Sequence, residues 1–75
     1  MITVNGERID WRKAAISFEE VALLAGYKPP FLAVNIKSIP PDEVCSTLMQ
    51  PGASIDRGWN GETLNGYAFN AFREP

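Results

Sequence analysis

The chain is 75 residues long, with nine acidic and seven basic side chains, a net charge of −2 and a hydrophobic share of 45%. That length holds one domain, and folding would bury only roughly 60% of its unfolded surface, so the core must be small. The basic residues stand singly apart from Arg12-Lys13, which argues against nucleic acid as a partner, and no apolar run is long enough to span a bilayer.

Taken in chain order, Ile2-Thr3-Val4 alternates as a β-strand does, and Asn5-Gly6 is the strongest hairpin signal in the sequence. Arg8-Ile9-Asp10-Trp11 is then the return strand, with Ile9 and Trp11 on one face. Ala14-Ala15-Ile16 leads into a helix over residues 17–25. Ser17 and Glu20 are spaced as a capping box, Ile16 and Val21 as a hydrophobic staple, and Gly26 as a C-terminal cap. Phe18, Val21, Ala22 and Ala25 share one apolar stripe, which Leu24 broadens.

Tyr27-Lys28-Pro29-Pro30 breaks the helix. Residues 31–39 form the best strand, with Leu32, Val34 and Ile36 on one face against Asn35 and Lys37 on the other. Pro40-Pro41 ends it. Residues 42–47 read equally as the start of a short helix, with proline and acids in its first turn, or as the approach to an edge strand over 44–48. Pro51-Gly52 is a turn, 53–56 a short strand, and 58–63 a turn-rich loop. The last strand covers 67–72, with Tyr67, Phe69 and Ala71 facing one way and Ala68, Asn70 and Phe72 the other. This order predicts a single α+β domain over residues 1–75: a β-grasp, with a mixed sheet of four to five strands packed on one helix.

No catalytic constellation stands out. The chain has no His, so Cys–His catalysis and histidine-ligated metal sites are excluded. The lone Cys45 reads better as a small hydrophobe than as a reactive thiol. It cannot close an internal disulfide, and with no signal peptide at the start the expected setting is reducing and cytoplasmic. Ser17 is explained by its capping role. The acidic pairs Glu19-Glu20 and Asp42-Glu43 suit helix starts, where the dipole favours them, better than acid–base work. Trp59, in Gly58-Trp59-Asn60-Gly61, is either a lid folded on the sheet or an exposed anchor for a partner, the lid being favoured. No enzyme activity and no cofactor are expected.

Three segments, in order, resemble the bacterial ubiquitin-like proteins of multiubiquitin type: Val4-Asn5-Gly6-Glu7, then Ile16-Ser17-Phe18-Glu19-Glu20-Val21 with Leu24-Ala25-Gly26, and last residues 46–55 followed by Gly66-Tyr67-Ala68-Phe69-Asn70. The resemblance covers most of the chain. It implies a ubiquitin-like β-grasp modifier, served by activating-like and conjugating-like enzymes and a JAB-type peptidase, attached to target proteins, and in some systems tied to phage defence. In such chemistry the modifier is a substrate whose C-terminal carboxylate is adenylated and passed to a target amine.

Here the tail reads Phe72-Arg73-Glu74-Pro75, without Gly-Gly, and the nearest upstream glycine is Gly66. Proline is a poor adenylation terminus. The tail is therefore trimmed, or this chain is one unit of a tandem protein, or this copy is not conjugated. The alternative is a non-conjugated β-grasp module for protein binding or self-association. A third option is a regulatory or structural piece of an enzyme subunit. Folds of this type usually bind through the open sheet face and last strand, which makes Asn35, Lys37, Asn70 and Phe72 the candidate contacts beside Trp59.

Overall fold

The computed structural model describes residues 1–41, 46–56 and 63–73. Among these residues run β1 (Ile2–Val4), β2 (Glu7–Ile9), β3 (Ala15–Ser17), α1 (Phe18–Leu24), β4 (Val34–Ile39), β5 (Thr47–Met49), β6 (Ser54–Asp56) and β7 (Ala68–Arg73). Five strands form a mixed sheet in the order β2-β1-β7-β4-β5, while β3 and β6 make a separate two-stranded ladder. The expected α+β composition, with a five-stranded mixed sheet and one helix, is present.

β1 and β2 meet through the two-residue loop Asn5-Gly6, with Val4 opposite Glu7. Asn5 has φ 51° and Gly6 φ 82°. These left-handed values are what a type I′ turn needs to match the twist of its strands. Trp11 lies beyond the end of β2, a correction to the longer return strand expected from alternation. Its indole Nε1 donates to Ala15 O at 3.0 Å, so the loop doubles back instead of extending.

The start of α1 is built as its sequence dictates. Glu20 N donates to Ser17 Oγ at 3.1 Å, and Ser17 N donates to Glu20 Oε1 at 3.0 Å. Two helix-end amides are thereby satisfied by side chains three residues apart. Ile16 and Val21, the staple pair, are both fully buried. Further contacts fasten this end to a distant segment: Phe18 N donates to Ala53 O at 2.9 Å, and Gly52 N to Glu19 Oε1 at 3.2 Å. β3 and β6 continue that contact as an antiparallel pair, Ile16 opposite Ile55. The helix ends at Ala25, and Gly26 follows at φ 96°.

β4 starts later than its apolar run suggests. Ala33 takes a left-handed φ of 61°, which interrupts the pleat, so the alternation does not reach back to Leu32. Leu32, expected on the buried face, is instead 72% exposed. From Val34 onward Val34, Ile36 and Ser38 face inward. Buried Ser38 is satisfied, its Oγ donating to Thr47 O at 3.2 Å.

β7 occupies the middle of the sheet. It runs parallel to β1 at Thr3 and Val4 and antiparallel to β4 along its whole length. Thr3 N donates to Tyr67 O at 3.0 Å and Asn5 N to Phe69 O at 2.8 Å. Beyond that point β1 has already turned into the hairpin. The Asn5 side chain continues the ladder in its place, its Oδ1 accepting from Ala71 N at 2.8 Å.

α1 packs against β3, β4 and β7. Phe18, Val21 and Ala22 meet Ile2, Val4, Ile36, Phe69 and Ala71 in one buried cluster. Phe18 makes an edge-to-face contact with Phe31, and Tyr67 stacks on Phe69 at 6.1 Å. Leu64, just after the stretch that reads as loop, is buried in the same cluster, held by its N–H donating to Lys13 O at 2.9 Å. Full burial of a side chain such as Val21 contributes about 1.5–3 kcal/mol.

Ser17→Ala is expected to lower stability by about 1 kcal/mol, read as a shift in urea midpoint at unchanged slope. Asn5→Ala leaves the Ala71 amide without its acceptor and should lower stability by about 1–3 kcal/mol. Val21→Asp places an unpaired carboxylate in the core and should abolish the cooperative unfolding transition.

Candidate functional site

The helix covers one face of the sheet, and on the other face, among the described residues, Lys37, Leu48, Asn70 and Phe72 are exposed. Along β4 and β7 the outward positions alternate with the buried ones, so Asn35 stands opposite Phe72 and Lys37 opposite Asn70. The four candidate contacts of these strands thus form one cluster. Lys37 Nζ lies 6.0 Å from the centre of the Phe72 ring, a cation–π contact of about 0.5–1 kcal/mol at an exposed site. On its other side Lys37 is opposite Leu48 of β5.

Leu48 is a member of this face that the sequence reading passed over. Its signal was available: in Thr47-Leu48-Met49 the buried Met49 leaves Leu48 with the outward phase. Leu48 is 46% exposed and Phe72 40%. The stem of Lys37 lies between the two strands that carry them, so an apolar band crosses β5, β4 and β7 with an ammonium at its middle. Arg8 of β2, opposite Thr3 of β1, extends the same face on the far side. Among the described outward positions of the sheet the charges are Arg8 and Lys37, both positive, in a chain of net charge −2.

The tail residues divide. Phe72 and Arg73 belong to β7, opposite Asn35 and Val34. Arg73 faces the helix side, its guanidinium 5.3 Å from the Tyr27 ring. Glu74, Pro75, Trp59 and Cys45 lie outside the described residues, as do the acids Asp42 and Glu43.

A concavity of about 350 Å³ opens between the main sheet and the β3–β6 ladder. Ser38, Thr47, Ser54, Asp56 and Tyr67 line it, a set of hydroxyls around one carboxylate. The Ser38 hydroxyl is committed to Thr47 O, and the chain has no imidazole to activate a nucleophile. Among the described residues no group of three His, Cys, Asp or Glu side chains converges as a metal site. Nor is any helix among them long and apolar enough to cross a membrane. The Arg12 guanidinium is held above its ordinary pKa by its hydrogen bond to Asp10 at 2.9 Å and by that carboxylate's charge. This exposed pair sits in the loop after β2, away from the outward positions just described.

Comparisons with protein-family models, with curated proteins and with solved structures find no match to the chain. The functional reading therefore stands on the geometry of the open face.

The phase of β5 can be checked directly. Leu48→Ser should change stability by no more than about 0.5 kcal/mol, as surface substitutions do. Met49→Ala, one residue on, should cost about 2–5 kcal/mol, as core truncations do. Paired urea titrations of the two variants read the difference.

Proposed function

We propose that the chain is a β-grasp module of ubiquitin-like type that acts by presenting the open face of its sheet to another protein. The observation that carries this reading is the convergence of Phe72, Leu48, Lys37, Asn35 and Asn70 on one face of the sheet, four of them exposed. Side chains that pack no core and still gather aromatic, aliphatic and amide groups around one cation suit an interface: the apolar members supply area and the polar ones orient. The β-grasp assignment is supported by the strand order, in which a hairpin, a helix and a final parallel strand between β1 and β4 enclose a single core.

A modifier role is the second reading, favoured by the position of β7. As the central strand it ends at Arg73, where its pairing with β4 also ends, and an activating-like enzyme would have to reach the chain beyond that point. Phe72 and Arg73 are themselves tied into the sheet by pairing with β4. That favours non-covalent docking over threading these two residues into an active site.

One co-expression experiment separates the readings. The chain is produced with activating-like, conjugating-like and JAB-type proteins of the multiubiquitin-type systems it resembles, and a photo-crosslinking residue replaces Asn70 or, as a control on the helix side, Leu23. Docking through the open face predicts an unchanged intact mass before illumination and a crosslink from position 70 only. A ladder of adducts before illumination would establish a modifier, and equal crosslinking from both positions would overturn the open-face assignment.

A further inference from the structure

The sequence contains three Asn-Gly pairs, at Asn5-Gly6, Asn60-Gly61 and Asn65-Gly66. Asparagine before glycine is thermolabile because a residue without Cβ lets its nitrogen approach the neighbouring side-chain amide. The Gly6 nitrogen attacks Asn5 Cγ, a C–N bond forms, and Nδ2 leaves as ammonia carrying the proton from Gly6 N–H. Water then opens the cyclic imide at either carbonyl and yields aspartate or isoaspartate. The net change consumes one water and releases one ammonia, with no oxidant or reductant.

The fold opposes the first step at Asn5 in three ways. The left-handed backbone at Asn5, φ 51°, is that of a type I′ turn, a class in which a ψ of about 30° turns the next nitrogen away from the side chain. Asn5 N is fixed by donation to Phe69 O at 2.8 Å. Its side chain is pinned by Oδ1 accepting from Ala71 N, also at 2.8 Å. Glycine 6 itself is open, since a side chain built there would meet nothing within 4 Å. The obstacle is thus the conformation of Asn5 and its attachment to β7, and not crowding.

From this we infer that Asn5 is a modification site gated by the fold: it deamidates when β1 separates from β7 and is protected while the two are joined. Isoaspartate adds a backbone methylene inside a two-residue turn, so the type I′ geometry and the Asn5–Ala71 bond cannot both re-form. The modification therefore converts a transient local opening into a lasting one. It also loosens β7 where Asn70 and Phe72 flank Ala71, and it holds whether or not the open face docks a partner.

The Asn65-Gly66 pair provides an internal comparison. There the attacking nitrogen is already engaged, Gly66 N donating to Met1 O at 2.9 Å, and Asn65 Oδ1 accepts from the Met1 amino group at 3.0 Å. Asn60-Gly61 lies outside the described residues.

The full chain is incubated at mildly alkaline pH, once in native buffer and once in urea. It is then digested, and fragments are read by mass spectrometry that distinguishes aspartate from isoaspartate. The expected result is conversion at Asn5 in urea, slowed about tenfold or more in native buffer because reaction must wait for local opening. Hydrogen exchange on the native sample should show the Ala71 amide unprotected in the isoaspartate fraction. Asn5→Asp, which keeps a side-chain acceptor and a normal backbone, should retain that protection. Equal rates in the two conditions would overturn the gate, and absence of conversion in urea would overturn the site. An isoaspartate fraction with Ala71 still protected would overturn the proposed consequence.

Discussion

Everything in this molecule depends on β7 being inserted between β1 and β4. Without it the first hairpin and the β4–β5 pair are two small sheets, neither with enough strands to stand alone in water. With it, Phe69 and Ala71 close the floor beneath the helix stripe. β1 is only three residues long, too short to hold the full length of β7. The Asn5 side chain lengthens it by supplying an acceptor where the backbone has turned away. A single amide thus performs two tasks, taking the positive φ of the turn and extending the central ladder.

The second constraint is the attachment of the helix start. A seven-residue helix has little stability of its own. The capping box fixes where it begins, and the bonds to Ala53 and Gly52 fix where that beginning sits. Because β3 leads directly into Ser17, pairing of β3 with β6 aims the helix axis before its first turn. The orientation of Phe18, Val21 and Ala22 toward the sheet follows from this local geometry.

What was legible in the sequence was local. The Asn5-Gly6 turn, the Ser17–Glu20 box and the alternation of β7 each depend on spacing within a few residues, and each is present. The candidate contacts on β4 and β7 came together because the period of two sets their face and the register does the rest. The readings that fell short depended on partners far along the chain or on one backbone angle. Ile55 gives no sign in its own neighbourhood that it will pair with Ile16. Leu64 sits among loop residues, and its burial comes from contact with distant strands. Leu32 is apolar in an apolar run, and only the φ of Ala33 turns it outward.

The parallel pairing of β1 with β7 also sets how the protein bears force. The first strand and the last described strand lie side by side and run in the same direction. Tension applied to the start of one and the end of the other would draw them past each other along their length. The bonds from Thr3 and Asn5 to Tyr67 and Phe69, with the side-chain bond to Ala71, lie across that motion and would be loaded together. An antiparallel hairpin pulled at its ends opens one bond at a time, whereas this arrangement resists as a unit. The chain thus carries at its centre a shear clamp, stiffest along the shared direction of its first strand and its last described one.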